Sequence, residues 1–82
     1  MDLQDYRKQI DSIDRELIRL FRERMDVVRG VALYKKEHGI PILDAAREQE
    51  KLASIDSPLE RRLFAVLFEL SREYQGDLLG DE

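Results

Sequence analysis

From Leu3 to about Glu37 the chain repeats apolar residues in sevens. Counting from Leu3 gives Leu3, Ile10, Leu17, Arg24 and Val31, and counting from Tyr6 gives Tyr6, Ile13, Leu20, Val27 and Tyr34. Nine of these ten positions are apolar or aromatic, the 3.5-residue period of a helix seam packed against another helix. Only Gly30 interrupts the stretch before His38-Gly39, at a cost of about 1 kcal/mol. Asp2 can cap the start, and Gly39 and Pro41 supply the stop. A helix of about 36 residues is about 54 Å long at 1.5 Å per residue. A compact globule of this chain's 82 residues has a radius of gyration near ~12 Å and is only about 30 Å across. The helix must therefore project beyond any monomeric core with its seam uncovered at one end, and a partner chain is the simplest cover.

The remaining chain is also helical. Asp44 reads as the N-cap of a short helix over Ala45 to Ser54, after the connection Gly39-Ile-Pro-Ile-Leu43. Ser57-Pro58-Leu59-Glu60 combines a capping box with proline at the first helical position. The third helix is expected from Pro58 to Gln75, ended by Gly76, with Leu63, Phe64, Val66, Leu67, Phe68 and Leu70 as a broad buried face. Residues 77–82 read as a disordered polar tail. No strand signal, internal repeat or low-complexity segment occurs. The expected fold is all-α, a single domain of three helices (long, short, medium) that forms a homodimer.

Composition excludes several classes of function. There is no cysteine and only one histidine, so no disulfide framework, thiolate site or EF-hand spacing exists, and no metal or cofactor is expected. A net charge of −4, with basic residues spread among acids, argues against a nucleic-acid partner. The N-terminus is acidic and amphipathic, and no apolar run approaches about 18 residues. A cytoplasmic protein with no membrane partner is expected.

The chemistry lies where polar residues interrupt apolar rows. Arg24 breaks the seam, and a guanidinium there is costly unless an anion or carboxylate meets it. Arg24 and Lys35 are 11 residues apart, about 20° past three full turns, so with Val28 and Val31 they line one side of the helix at a spacing of about 16 Å. Arg7 is 17 residues earlier, about 100° out of register and roughly 25 Å away, and could serve this site only from a partner chain. Ser71 and Gln75 continue the apolar row of the third helix, while Asp44, Arg47 and Glu48 share one face at the start of the second. Each has an ordinary alternative. Arg7, Arg47 and Glu48 could be solvated charges, and Ser71 and Gln75 the frayed end of a helix. Lys35 is favoured near a helix C-terminus, His38 is a residue of the same last turn, and Arg24 could pair with a core glutamate such as Glu69. From periodicity alone, the set describes a helical dimer with a cationic, hydrogen-bonding interior suited to a small polyanion.

The run YRKQIDSIDRELIRLFRERMDVVRGVALYKKEHGIPILDAARE, followed by LFELSREYQ, resembles the all-helical class of chorismate mutase from Leu3 to Gln75. The likeness includes the early arginine, I-D-x-I-D, E-R, Y-K, D-x-x-R-E and S-x-x-x-Q. It implies an intertwined homodimer that converts chorismate to prephenate, a Claisen rearrangement on the route to phenylalanine and tyrosine, without a cofactor. Carried over by position, the substrate-binding residues are Arg7, Arg24, Lys35, Asp44, Arg47, Glu48, Ser71 and Gln75. Lys35, Gln75 and Arg24 are the catalytic ones. Arg24, and Arg7 donated by the partner chain, would grip the two carboxylates. Lys35 and Gln75 would donate to the ether oxygen, where charge grows as the C–O bond breaks. Glu48 and the region of Asp44 would bind the ring hydroxyl, and Ser71 and Arg47 would complete the carboxylate side. Only 14 residues separate Glu48 from the Leu63-Phe64 pair, several fewer than in familiar single-domain members, so the second helix and its loop are expected to be trimmed by about two turns. Such a short form is similar to the mutase portion of a fused mutase–prephenate dehydratase, which makes a dehydratase domain a candidate partner. Two alternatives use the same fold: a dimerisation or regulatory module that binds without turnover, and an isochorismate pyruvate-lyase.

Overall fold

The computed structural model describes residues 1–80. They form three α-helices and no strand: α1, Leu3–His38; α2, Ala45–Ala53; and α3, Pro58–Leu79. Each helix begins on a side-chain cap that satisfies otherwise orphan N–H groups. Asp2 accepts from the Asp5 amide at 2.9 Å while Asp5 accepts from the Asp2 amide at 3.2 Å, a reciprocal capping box. Asp44 accepts from the Arg47 amide at 3.0 Å. Ser57 accepts from the Glu60 amide at 3.4 Å, but the expected return bond from Glu60 is not formed. Its carboxylate is exposed to solvent.

The stop after α1 is made by Gly39, whose φ of 64° is left-handed. That turn lets the Gly39 and Ile40 amides bond back to the Lys36 and Lys35 carbonyls, at 3.3 and 2.8 Å. Gly76 behaves differently. The sequence predicts that it ends α3, yet the helix runs on to Leu79. A glycine stops a helix when it turns left-handed, and among the described residues only Gly39 has a positive φ. The expected disordered tail is therefore helical at residues 77–79; its last two residues, 81 and 82, lie outside the described residues.

The helices make an elongated body of 54 × 26 × 16 Å with a radius of gyration of 16.1 Å, against about 12 Å for a compact chain of this length. The core is correspondingly small. α3 packs on both α1 and α2. Along α1 the covered stripe is Arg24, Met25, Val28, Ala32 and Lys35, of which only Ala32 is fully buried. The nine apolar seam residues lie beside that stripe and are all 42–64% exposed. The seam is thus bare along its whole length, not only at one end. The buried face expected on α3 is also only half made. Phe64, Leu67 and Phe68 are half-buried, whereas Leu63, Val66 and Leu70 face outward, because α1 and α2 together cover only one side of a six-residue apolar band. The α2–α3 connection is tied down by Arg61, which donates to the Ile55 and Asp56 carbonyls at 2.7 and 3.0 Å.

The two glycines should respond oppositely to alanine. Gly39→Ala is expected to cost about 1 kcal/mol because of its left-handed backbone. Gly76→Ala should instead stabilise by about 0.5–1 kcal/mol, since a Cβ there meets nothing within 4 Å. Urea midpoints of the two variants, compared with the parent chain, check both signs.

Candidate active site

The groove between the three helices is a cavity of about 490 Å³. α1 contributes Arg24 and Lys35 with Val27, Val28 and Val31; the start of α2 contributes Arg47 and Glu48, with Asp44 as its cap; α3 contributes Ser71, Arg72 and Gln75 with Phe68. Seven of the eight residues singled out in the sequence therefore meet in one cavity. The eighth, Arg7, is exposed on α1 and does not line it. Helix periodicity explains the convergence. Phe68, Ser71, Arg72 and Gln75 are spaced i, i+3, i+4, i+7 and share one face of α3, while the Gly39 turn folds α2 back toward the Lys35 end of α1.

Hydrogen bonds hold these side chains in place. The Arg24 guanidinium donates through Nη1 to Ser71 Oγ at 2.5 Å, and Ser71 Oγ donates on to the Leu67 carbonyl at 2.7 Å. Arg24 does not pair with Glu69, which is exposed. Lys35 Nζ donates to the Ile42 carbonyl at 2.7 Å, aligning its ammonium against the α1–α2 connection. Asp44 spends one carboxylate oxygen on capping α2. Glu48 is bound by Arg72 Nη1, a partner the sequence analysis did not single out. Its signal was present: Arg72 follows Phe68 by four residues, so it too is a cation continuing an apolar row.

Two features show what the cavity can hold. Among the described residues, none of Arg24, Lys35 and Arg47 has a carboxylate within ion-pair distance. The three cations line a space that also holds the carboxylates of Glu23, Asp44 and Glu48, and among the described residues none of these pairs with them. Gln75 is only 5% exposed, and its amide oxygen has no hydrogen-bond partner, an arrangement that costs on the order of 1–3 kcal/mol. Arginines suit carboxylates because their donors form a planar fork. Apolar walls from Val28, Val31 and Phe68 accompany these groups, as a small ring would require.

Fold and site together define an all-helical binder of a small organic polyanion. The comparisons with known proteins go further: a family model described as chorismate mutase type II matches residues 6–76, and the chain belongs to that family. It is 40% identical over 77 residues to the T-protein of Haemophilus influenzae, covering 94% of this chain and 19% of that one. It is 33% identical over 86 residues to a chorismate mutase of Methanocaldococcus jannaschii, covering 94% of this chain and 87% of that one. A bifunctional chorismate mutase/prephenate dehydratase of Aquifex aeolicus is 28% identical over 81 residues, 99% of this chain and 19% of its own. The chain thus spans about a fifth of the two longer relatives. No solved structure shows a significant match.

Arg24 separates stability from binding. Replacing a half-buried charge by an apolar residue of similar reach is often neutral or stabilising, and Ser71 keeps its bond to Leu67 when Arg24 is gone. Arg24→Leu should leave the unfolding free energy unchanged or raise it by about 1 kcal/mol, measured by urea denaturation. A loss above about 2 kcal/mol would make Arg24 a structural residue.

Proposed function

We propose that the chain is a chorismate mutase that rearranges chorismate to prephenate in a site shared between two copies. The observation that carries this reading is the set of three unpaired cations and the buried Gln75 amide around one apolar-walled cavity. The reaction is an isomerisation: the ether C–O bond breaks as a C–C bond forms to the ring. It requires no nucleophile and no proton transfer. It requires a dicarboxylate held in a folded conformer, which contributes through pre-organisation, and donors at the ether oxygen, where negative charge develops.

Each side chain has a role suited to its chemistry. Arg24, fixed by Ser71, grips one carboxylate, with Arg47 beside it. Lys35 and Gln75 donate to the ether oxygen; Gln75 is neutral and therefore donates at any moderate pH. Glu48, with Asp44 nearby, accepts from the ring hydroxyl. Arg7 grips the other carboxylate from the partner chain, since its distance along α1 keeps it from its own cavity.

The second copy is supported by surface. The chain exposes 6791 Å², whereas a compact monomer of 9.7 kDa exposes about 5,100 Å². The nine bare seam residues of α1 contribute to that excess, and their heptad period suits a second α1. An interlocked homodimer would cover it and bring Arg7 to the other copy's cavity. Among the described residues, no helix is long and apolar enough to cross a membrane. The bifunctional relative supports a prephenate dehydratase domain as a companion of this fold.

Loss of chorismate absorbance, with the product converted by acid to phenylpyruvate, tests the reaction. Lys35→Ala should lose about 10²–10³ in kcat, and near-normal turnover would sink the mechanism. Arg7→Ala and Lys35→Ala chains, each nearly inactive alone, should regain up to about a quarter of parental activity when unfolded and re-formed together. That fraction is the expected share of intact composite sites; no recovery would rule out sharing. A chain that binds chorismate without converting it would be the regulatory module, and pyruvate released from isochorismate would mark the lyase.

A further inference from the structure

Arg72 lies in the cavity wall but has no place in the chemistry assigned above. It reaches from α3 across to α2 and bonds Glu48 through Nη1 to Oε1. This is the only ion pair between helices among the described residues; Arg19 pairs with Glu16 and Glu23 within α1. Arg72 makes no other hydrogen bond among the described residues, and Glu48 Oε2 receives none. One oxygen of the carboxylate is therefore anchored, and the other is free to accept.

Building on the proposed mutase reading, we propose that Arg72 is a positioning residue for the substrate's ring hydroxyl: it holds Glu48 so that Oε2 is presented as the acceptor. Two physical reasons require such an anchor. Glu48 is a long side chain in the first turn of a nine-residue helix, and fixing an untethered glutamate at the moment of binding costs up to about 2 kcal/mol of rotamer freedom. Moreover, Glu48 shares the cavity wall with Arg24, Lys35 and Arg47. Untethered, its carboxylate would compete with the substrate's carboxylates for those cations. A guanidinium contributed by α3 neutralises Glu48 locally and leaves the other three cations for the ligand. The single Nη1–Oε1 bond fixes one oxygen and leaves the other open.

The hydroxyl contact exists in both the bound ground state and the transition state, so its loss falls mainly on KM. The test uses the full chain and two substrates, chorismate and its analogue lacking the ring hydroxyl. Arg72→Met, which keeps the apolar stem, is expected to raise KM for chorismate about tenfold and change kcat by less than about threefold, in line with a charge-assisted hydrogen bond. On the analogue, the variant and parent chains should agree within about twofold. Arg72→Lys keeps a donor but not the fork, and should lose about threefold, again only on chorismate. Equal losses on both substrates would overturn the proposal, because Arg72 would then act on the carboxylates or on the fold at large. Unchanged kinetics in both variants would overturn it as well. Should Arg72→Met not fold, the Arg72→Lys comparison decides by the same rule. Failure of the mutase reading is separately visible: the unsubstituted chain would not convert chorismate, and the hydroxyl role would fall with it.

Discussion

The guanidinium of Arg24 is placed where a packed helix would ordinarily carry leucine, and the bond it makes to Ser71 joins the longest helix to the last one. Ser71 passes that bond on to the Leu67 carbonyl, so the arginine is anchored to the backbone of α3 through one hydroxyl. A charge held this way stays solvated by the protein without being neutralised. Neutralisation would come from a carboxylate, and among the described residues Arg24 has none. The remainder of the α3 side of the cavity lies on the same helix face as this bond. Gln75, one turn beyond Ser71, then lines the same cavity, as does Arg72, and the Gly39 turn returns the start of α2 to meet them.

Stability and function make opposite demands on this small chain. Its apolar residues do not form a sizeable internal core: among the described residues Ala32 is the only fully buried apolar one, and most large side chains along α1 face outward. A chain of this size gains little from burying itself alone. The heptad of α1 is left without a partner inside the chain, and the cavity holds its unpaired cations on a neighbouring face of the same helix. Glu48 and Arg72 show the opposite solution a few ångströms of side chain away. There the charge is paired, which leaves a single carboxylate oxygen to accept and keeps the acid from quenching the neighbouring cations.

Much of this was legible in the residues. The heptad of α1, the Asp2, Asp44 and Ser57 caps and the Gly39 stop are local signals, each carried by a few neighbouring residues, and they appear in the structure where the pattern puts them. The polar interruptions were legible for the same reason: a 100° step per residue determines which side chains share a face. Local signals were weaker where conformation was optional. Gly76 can turn either way, and it continued the helix. The Ser57–Glu60 box formed only the bond from the Glu60 amide to Ser57. Arg72 was overlooked because an arginine beside a serine on a partly polar helix end looks like a solvated charge until its partner on another helix is known.

The sequence by itself determined the helices, their ends and the list of polar residues set into apolar rows, because these depend on neighbours within one or two turns. Only the tertiary structure decided which of those residues share a space and which charges are already paired. Seven of the eight meet around one cavity while Arg7 does not, Arg24 pairs with Ser71 instead of Glu69, and Glu48 belongs to Arg72. These depend on how α2 and α3 are laid against α1, a long-range arrangement set by packing and hydrogen-bond satisfaction that no spacing along one helix encodes.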